Sequence, residues 1–160
     1  MNKELRPFVK WVGGKRQLLN DISKFIPKNY NKYFEPFLGA GAVFLHLKPQ
    51  KAILNDMNTE LIEAYKVIRD APKQLIEELK KHEENNSKEY FYKIRQWDRD
   101  KKFFNELSNI HKTARFIYMN RVGYNGLYRV NRNGEFNVPY GRYKNPKIAG
   151  VSMKWWTQRI

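Results

Sequence analysis

Three groups of residues in this chain have the types and spacing to do chemistry. The first is "YFEPFLGAGAVFLHL", Tyr33–Leu47, where a short apolar run meets Gly39-Ala40-Gly41 and a helix-like stretch follows. Nucleotide sites often begin this way, because glycines let a ligand approach the backbone at a strand-to-helix turn. Phosphate-binding versions add a third glycine or a Lys-Ser/Thr pair, and this stretch has neither. Val43 and Phe44 follow Gly41, and the neighbouring charge is Glu35, which repels phosphate. Asp56 stands fifteen residues beyond Gly41, at the end of "KAIL". A carboxylate there accepts hydrogen bonds from ribose hydroxyls. The combination favours a cofactor with a ribose, no phosphate and a positive charge, as in S-adenosylmethionine. The alternative is two turn glycines beside a core helix.

The second group lies in "FVKWVGGKRQL" near the N-terminus. Gly13-Gly14 allows close approach of backbone to ligand before a helix. Lys15 can pair with a carboxylate such as the methionine end of the cofactor, and Trp11 can stack on or cover an adenine. Each also has a plain structural reading: a helix-start turn, a solvated lysine, a core tryptophan. The third group is basic and aromatic. Between Lys112 and Lys147 the chain carries eight Lys/Arg (112, 115, 121, 129, 132, 142, 144, 147) against one acid, Glu135. Tyr118, Tyr124, Tyr128, Phe136, Tyr140 and Tyr143 are interleaved with them. Basic side chains contact phosphates, exposed aromatics stack on or wedge between bases, and arginine reads guanine bidentately in the major groove. An aromatic core with a solvated basic rim is the competing reading.

The elements that must position these groups follow from periodicity. Lys15–Ile26 has Leu18, Leu19, Ile22, Phe25 and Ile26 at helical spacing, ending before Pro27. Tyr33–Phe37 is expected as a buried strand, Ala40–Leu47 as a helix and Lys51–Leu54 as a second strand, together a βαβ-like unit. Beyond Asn58 the spacing predicts helices: one capped by Asn58 or Thr59, one opened by Pro72, one over Lys88–Phe104, and one over Asn105–Val122 stopped by Gly123. "LYRVNRNGEFNV" reads as a hairpin with an Asn133-Gly134 turn. Trp155-Trp156, near the end of the chain, should be buried against something.

Composition narrows the classes. A formal charge of +15 over 160 residues, with a pI near 9.9, favours a polyanionic partner, nucleic acid before acidic membrane. There are no cysteines, and His46, His82 and His111 show no ligand spacing, so neither a disulfide framework nor a metal centre is expected. "MNKELRPFVKW" lacks a signal-peptide core and no apolar run approaches about 18 residues, which points to a cytoplasmic protein without a membrane partner.

Four pieces in order resemble the Dam-type DNA adenine-N6 methyltransferases, in the class whose cofactor motif precedes the target-recognition domain. They are "PFVKWVGGKRQLL", "YFEPFLGAGAVFLHL", "ILNDMNTELI" and "ARFIYMNRVGYNGLYRVNRNGEFNVPYGRYKNP", and with their order the resemblance covers roughly Pro7–Ile148. The resemblance implies an α/β fold: an incomplete Rossmann-like S-adenosylmethionine-dependent core with a mainly helical target-recognition subdomain carrying a β-hairpin. It divides the chain into a cofactor-binding part at 1–57, a DNA-recognition part at 58–147 and a divergent tail at 148–160. It implies methyl transfer from S-adenosylmethionine to N6 of adenine in double-stranded DNA, typically in a GATC-like site. Trp11, Lys15 and Asp56 are implied to contact the cofactor, with Glu35, Pro36, Phe37, Gly39 and Gly41 lining the turn. Lys10 is implied near DNA, Tyr124 beside the flipped base with Asn125 and Leu127, and Arg129 as the base-reading arginine. Pro139, Arg142 and Tyr143 continue that surface.

The family polarises the target amine with Asp-Pro-Pro-Tyr, and this chain contains no Asp-Pro-Pro, so no catalytic residue is assigned within it. The resemblance therefore implies inactivity alone, or activity with a second chain supplying the catalytic half. Phe37, Val43, Phe44 and Ile53 are expected to lack partners. It also leaves room for a restriction endonuclease of the same system, with no direct contact implied. The other readings of the sequence are a DNA-binding fragment without a methyltransferase role and a basic RNA-binding or structural protein.

Overall fold

The computed structural model describes residues 6–149. Of the divergent tail expected at 148–160, the part from Gly150 onward, with its Trp155-Trp156 pair, lies outside the described residues, as do residues 1–5. The chain is mixed α/β and mostly helical, with a small parallel sheet. A short 3-10 turn at Lys15–Leu18 leads into α1 (Leu19–Phe25). Strand β1 (Tyr33–Glu35) is followed by α2 (Ala42–Leu47) and strand β2 (Ala52–Leu54). The two strands pair in parallel with Tyr33 opposite Ala52, Phe34 opposite Ile53 and Glu35 opposite Leu54, so the expected βαβ unit forms.

Its burial differs from expectation. The strand is three residues long rather than running to Phe37, and Phe34 is 60 % exposed. One face of the sheet is covered and the other is open, so alternate residues divide between core and solvent. Nor does the first helix bury its apolar positions fully: none of its residues is fully enclosed, and Phe25 faces solvent. Val43 and Phe44, expected to lack partners, are buried instead. Phe44 joins the core containing Leu38, Leu61 and Tyr65.

The helices after the sheet form the larger core. Helix α3 (Thr59–Asp70) starts at Asn58, whose side-chain oxygen accepts a hydrogen bond from the Leu61 N–H at 2.9 Å. Helix α4 (Pro72–Glu84) has Pro at its first position, where no N–H is needed. The single helix expected over Lys88–Phe104 is divided into α5 (Lys88–Arg95), a 3-10 turn at Gln96–Arg99 and α6 (Lys101–Glu106). The break has a local and a distant cause: the Asp100 carboxylate caps α6 by accepting from the Phe103 N–H, and Asp98 turns inward to a buried ion pair with Arg115. Helix α7 (Asn109–Val122), capped by Ser108, runs through the middle and packs on α3, α4 and α5. Every residue from Thr113 to Asn120 is buried, which is why its sequence shows no clean polar face.

The segment after α7 returns along it. Isolated antiparallel bridges join Gly123 to Tyr140 and Val130 to Phe136. The turn between them is not the two-residue Asn-Gly type. Gly134 alone takes positive φ (+74°), its N–H donates to the Asn131 carbonyl, and the Asn131 N–H donates to the Glu135 carbonyl. This is a three-residue loop, Arg132–Gly134, built around a type I turn. The Asn131 side chain stabilises it by accepting from the N–H groups of Asn133 and Glu135. Among the described residues no helix is long and apolar enough to cross a membrane, and no cluster of side chains is suited to a metal ion.

Candidate functional site

The glycine turn and the N-terminal segment meet at the carboxyl ends of β1 and β2. A recess of about 210 Å³ is lined there by Trp11, Gly13, Gly14, Lys15, Phe37, Gly39, Ala40 and Asp56, among others. Gly39 (φ +55°) and Gly41 (φ +70°) both adopt the left-handed conformation. A Cβ on Gly39 would lie 3.2 Å from the Trp11 ring, and one on Gly41 would lie 2.6 Å from Tyr65 Oη. Any larger residue would therefore fill the cradle or displace its wall. Asp56 braces the turn: one carboxylate oxygen accepts from the Gly39 N–H at 2.8 Å and the other from the Asn58 N–H at 3.0 Å. A carboxylate has about four acceptor positions, so lone pairs remain for hydroxyl donors in the recess.

Lys15 is held by the protein itself. Its ammonium donates to Glu35 Oε1 at 2.7 Å and to the Phe37 carbonyl at 2.6 Å, leaving a third N–H. Glu35 is 6 % exposed and also accepts from the Tyr33 hydroxyl at 2.7 Å. Burial, and next the Glu35 hydrogen bond, push the Tyr33 hydroxyl well above the ordinary phenol range, so it stays a donor. Trp11 is partly buried and stacked on Tyr128, with ring centroids 5.5 Å apart and an interplanar angle of 23°. Pro36 and Phe37 are exposed at the rim of the turn.

The residues assigned to DNA gather in one neighbourhood around the C-terminal end of α7. Asn120, fully buried, accepts from the Lys10 N–H at 2.9 Å and donates to the carbonyls of Lys10 and Gly126, each at 2.8 Å. Gly126 has positive φ and lies against the Lys10 side chain, where a Cβ would overlap it. The Lys10 ammonium sits 5.1 Å from the centre of the Tyr143 ring. The Tyr124 N–H donates to the Pro139 carbonyl, and the Gly141 N–H to the Val122 carbonyl. Tyr124 is 53 % exposed, and Asn125 and Arg142 are exposed at positive φ. Leu127 is half-buried. Arg129, exposed on the hairpin, donates from Nε to Asn137 Oδ1 at 2.8 Å, which fixes the plane of its guanidinium.

Several basic and aromatic residues of this segment do not face solvent. Arg115 is buried and paired with Asp98 at 2.6 Å, while Tyr118 and Phe136 are core residues. Asp98 also pairs with Arg99 and accepts from the Phe136 N–H at 2.8 Å, tying the base of the hairpin to the helix break. Composition counts charges and rings without regard to side, and this is where it overstated the surface. The roles of Asn120 and Tyr65 escaped the sequence, and Tyr128, expected among the aromatics of the basic segment, instead stacks on Trp11 and donates to Glu60. Asn120 sits in a helix with no turn signal, and the Tyr65 and Tyr128 contacts join positions distant in sequence.

Residues 11–160 match the family model described as D12 class N6 adenine-specific DNA methyltransferase. The chain belongs to that family. It is 56 % identical over 145 residues to the Type II methyltransferase M1.LlaDCHI of Lactococcus lactis subsp. cremoris, covering 91 % of this chain and 51 % of that protein. It is 45 % identical over 161 residues to the Type II methyltransferase M.MjaIII of Methanocaldococcus jannaschii, covering 91 % of this chain and 55 % of the relative. With the DNA adenine methylase of Escherichia coli (strain K12) it shares 40 % identity over 159 residues, covering 98 % of this chain and 55 % of the relative. The chain thus spans about half the length of the curated relatives it matches.

Proposed function

We propose that this chain supplies the cofactor-binding and DNA-reading parts of an S-adenosylmethionine-dependent methyltransferase acting on N6 of adenine in double-stranded DNA, in a GATC-like site. The observation that carries this reading is the junction at Lys10-Trp11. Trp11 walls the recess at the glycine turn, while its neighbour Lys10 is clasped by Asn120 into the exposed basic and aromatic segment. One backbone step therefore separates a ribose-type site from a polyanion surface. On this reading the β1–α2–β2 unit is part of a Rossmann-like core, residues 58–147 are the target-recognition part, and the partner is duplex DNA.

The recess fits S-adenosylmethionine by its donor set. The glycine cradle has no lysine aimed at a phosphate, because Lys15 is occupied by Glu35 and the Phe37 carbonyl. Asp56 would accept from the ribose hydroxyls, Trp11 would cover the adenine, and the third N–H of Lys15 would meet the cofactor carboxylate. When bound, the cofactor supplies an electrophilic methyl group. The remaining task is positioning: the target adenine must leave the duplex, at a cost of a few kcal/mol, to bring its amine to that methyl. Tyr124, exposed at the end of α7, would fill the gap it leaves. Arg129, its plane held by Asn137, would read a guanine edge, and Lys10, Asn125, Leu127, Pro139, Arg142 and Tyr143 would hold the duplex in register.

The sequence holds no Asp-Pro-Pro-Tyr to polarise the amine, so the reading includes a second polypeptide region supplying that group. Titration calorimetry with S-adenosylmethionine, with and without GATC duplex, tests it. Heat of binding is expected for the chain and none for Asp56→Ala. Preference for GATC over scrambled duplex is expected to relax in Arg129→Ala, whereas Lys144→Ala weakens both duplexes alike. Equal binding of both duplexes without cofactor heat would sink the proposal, and so would robust methylation by the purified chain alone for its inactive-alone part.

A further inference from the structure

The amino ends of β1 and β2 carry charge that neither the cofactor recess nor the DNA surface uses. A second recess, of about 570 Å³, opens there, more than twice the volume of the one beside the glycine turn. Lys28, Lys32, Lys48 and Lys51 line it, with Tyr30, three side-chain amides and no acid. All four lysines are exposed, and none makes a side-chain hydrogen bond, ion pair or ring contact with another described residue. Elsewhere Lys15, Lys24, Lys66 and Lys81 are each paired with a carboxylate. The backbone brings two of the four together. Tyr33 stands opposite Ala52 in the register, and the Tyr33 N–H donates to the Lys51 carbonyl at 2.9 Å, so Lys32 and Lys51 occupy neighbouring positions on adjacent strands. Like charges so placed destabilise a sheet. Lys48 ends α2 in the left-handed conformation (φ +50°), and Lys28 follows just beyond α1. The carboxyl ends of those two helices offer about half a negative charge each at most, about one against four. The rest of the charge has no counterpart among the described residues.

We propose that this lysine recess is a second site for the phosphate backbone of duplex DNA, separate from the surface around Lys10 and Arg129. Its chemistry selects a polyanion with several phosphates: the four cations meet successive phosphate oxygens, the amides donate to others, and the ring of Tyr30, 41 % exposed, lies against sugar. A bilayer is the poorer fit, because the lining has no Leu, Ile, Val, Phe or Trp to enter it. The recess at the glycine turn lies at the carboxyl ends of the same strands. DNA read beside that turn and DNA held by the four lysines therefore approach opposite ends of the sheet, and one chain holds two duplex segments.

The test mixes the 160-residue chain with two short duplexes lacking GATC, one carrying a donor dye and the other an acceptor. Energy transfer between them, falling steeply with salt, is expected for the unaltered chain. Lys28→Gln, Lys32→Gln, Lys48→Gln and Lys51→Gln combined are expected to abolish the transfer and to weaken the second duplex at least about tenfold, with the first held within about threefold. Relief of the Lys32–Lys51 repulsion keeps the thermal midpoint of that variant at or above the original, which shows that it folds. Lys73→Gln, Lys80→Gln, Lys88→Gln and Lys101→Gln combined remove equal charge from exposed positions elsewhere and are expected to retain the transfer. No transfer with the unaltered chain, transfer that survives the first set, or equal loss with the second overturns the proposal. So does sedimentation with phosphatidylglycerol vesicles that the first set abolishes while DNA binding is unmoved, since it assigns the lysines to a membrane. Cofactor heat and GATC preference are measured separately: their absence counts against the proposed function and leaves this site standing.

Discussion

Helix α7 is less apolar in sequence than the β1–β2 sheet, yet it is the better buried of the two. In α7 an unbroken run from Thr113 to Asn120 is buried, including a charge and two polar side chains, each matched by a partner or packed among neighbours. In the sheet, Phe34 and Ile53 lie open to solvent. The difference is one of enclosure rather than composition. Helices α3, α4 and α5 surround α7, whereas only one side of the sheet is covered. Stability should therefore reside in the helical region, while the open face of the sheet contributes little.

The largest expected effect lies in the buried network beside α7. Asp98 pairs with Arg115 and Arg99 and accepts from the Phe136 N–H, so Asp98→Ala leaves two guanidinium groups without their carboxylate. Breaking a buried pair from one side costs about 3–5 kcal/mol, and urea denaturation should show a loss of that order. The exposed Lys24–Asp21 pair on α1 is the comparison: Asp21→Ala should leave the denaturation midpoint unmoved. If both substitutions cost alike, the contrast between the regions fails.

Next comes pH. His82, buried on α4 and stacked on Tyr118 at 4.9 Å, donates to or accepts from the Tyr90 hydroxyl at 2.8 Å. Burial pushes its pKa from the ordinary 6.5 down to about 4, with Glu78 opposing the shift. Between those values the unfolded chain binds more protons than the folded one. Stability therefore falls as pH drops from about 6.5 to about 4, by about 3 kcal/mol at most, and levels off below. His82→Gln should flatten the dependence over that range. A slope unchanged by the substitution would place the titrating group elsewhere.

How much of this was legible in the sequence follows the same division. Caps and breakers are local, so Asn58, Pro72 and the parallel βαβ unit could be read directly. The glycine turn and Asp56 were found by spacing, and their convergence with Trp11 and Lys15 is what the fold adds. What escaped is non-local. The division of Lys88–Phe104 into two helices depends on Asp98 reaching Arg115, and the inward turn of Arg115, Tyr118 and Phe136 depends on helices that composition does not place. The Asn133-Gly134 signal named the right turn but the wrong loop length, because the Asn131 side chain captures the backbone one residue earlier.

A smaller effect is expected at the glycine turn that joins the two regions. Gly41 is left-handed, and a Cβ there would lie 2.6 Å from Tyr65 Oη, whose hydroxyl donates to the Gly39 carbonyl at 3.1 Å. Gly41→Ala should cost about 1–2 kcal/mol from the backbone alone. It should also weaken S-adenosylmethionine binding more than Gly13→Ala, since Gly13 shares the positive φ but has nothing within 4 Å of its Cβ position. Equal losses at the two positions would show that the Tyr65 wall does not shape the recess.

The smallest expected effect decides the comparison most sharply. Phe34 is a large aromatic residue in mid-strand, and at a covered position its truncation would cost about 3–5 kcal/mol. On the open face Phe34→Thr removes little buried area, and threonine suits a strand, so urea midpoints should move by no more than about 0.5 kcal/mol. The same substitution should improve solubility by shrinking the exposed apolar patch. A loss above about 1.5 kcal/mol in the isolated chain would show instead that this face is already closed in solution, and the contrast with α7 would disappear.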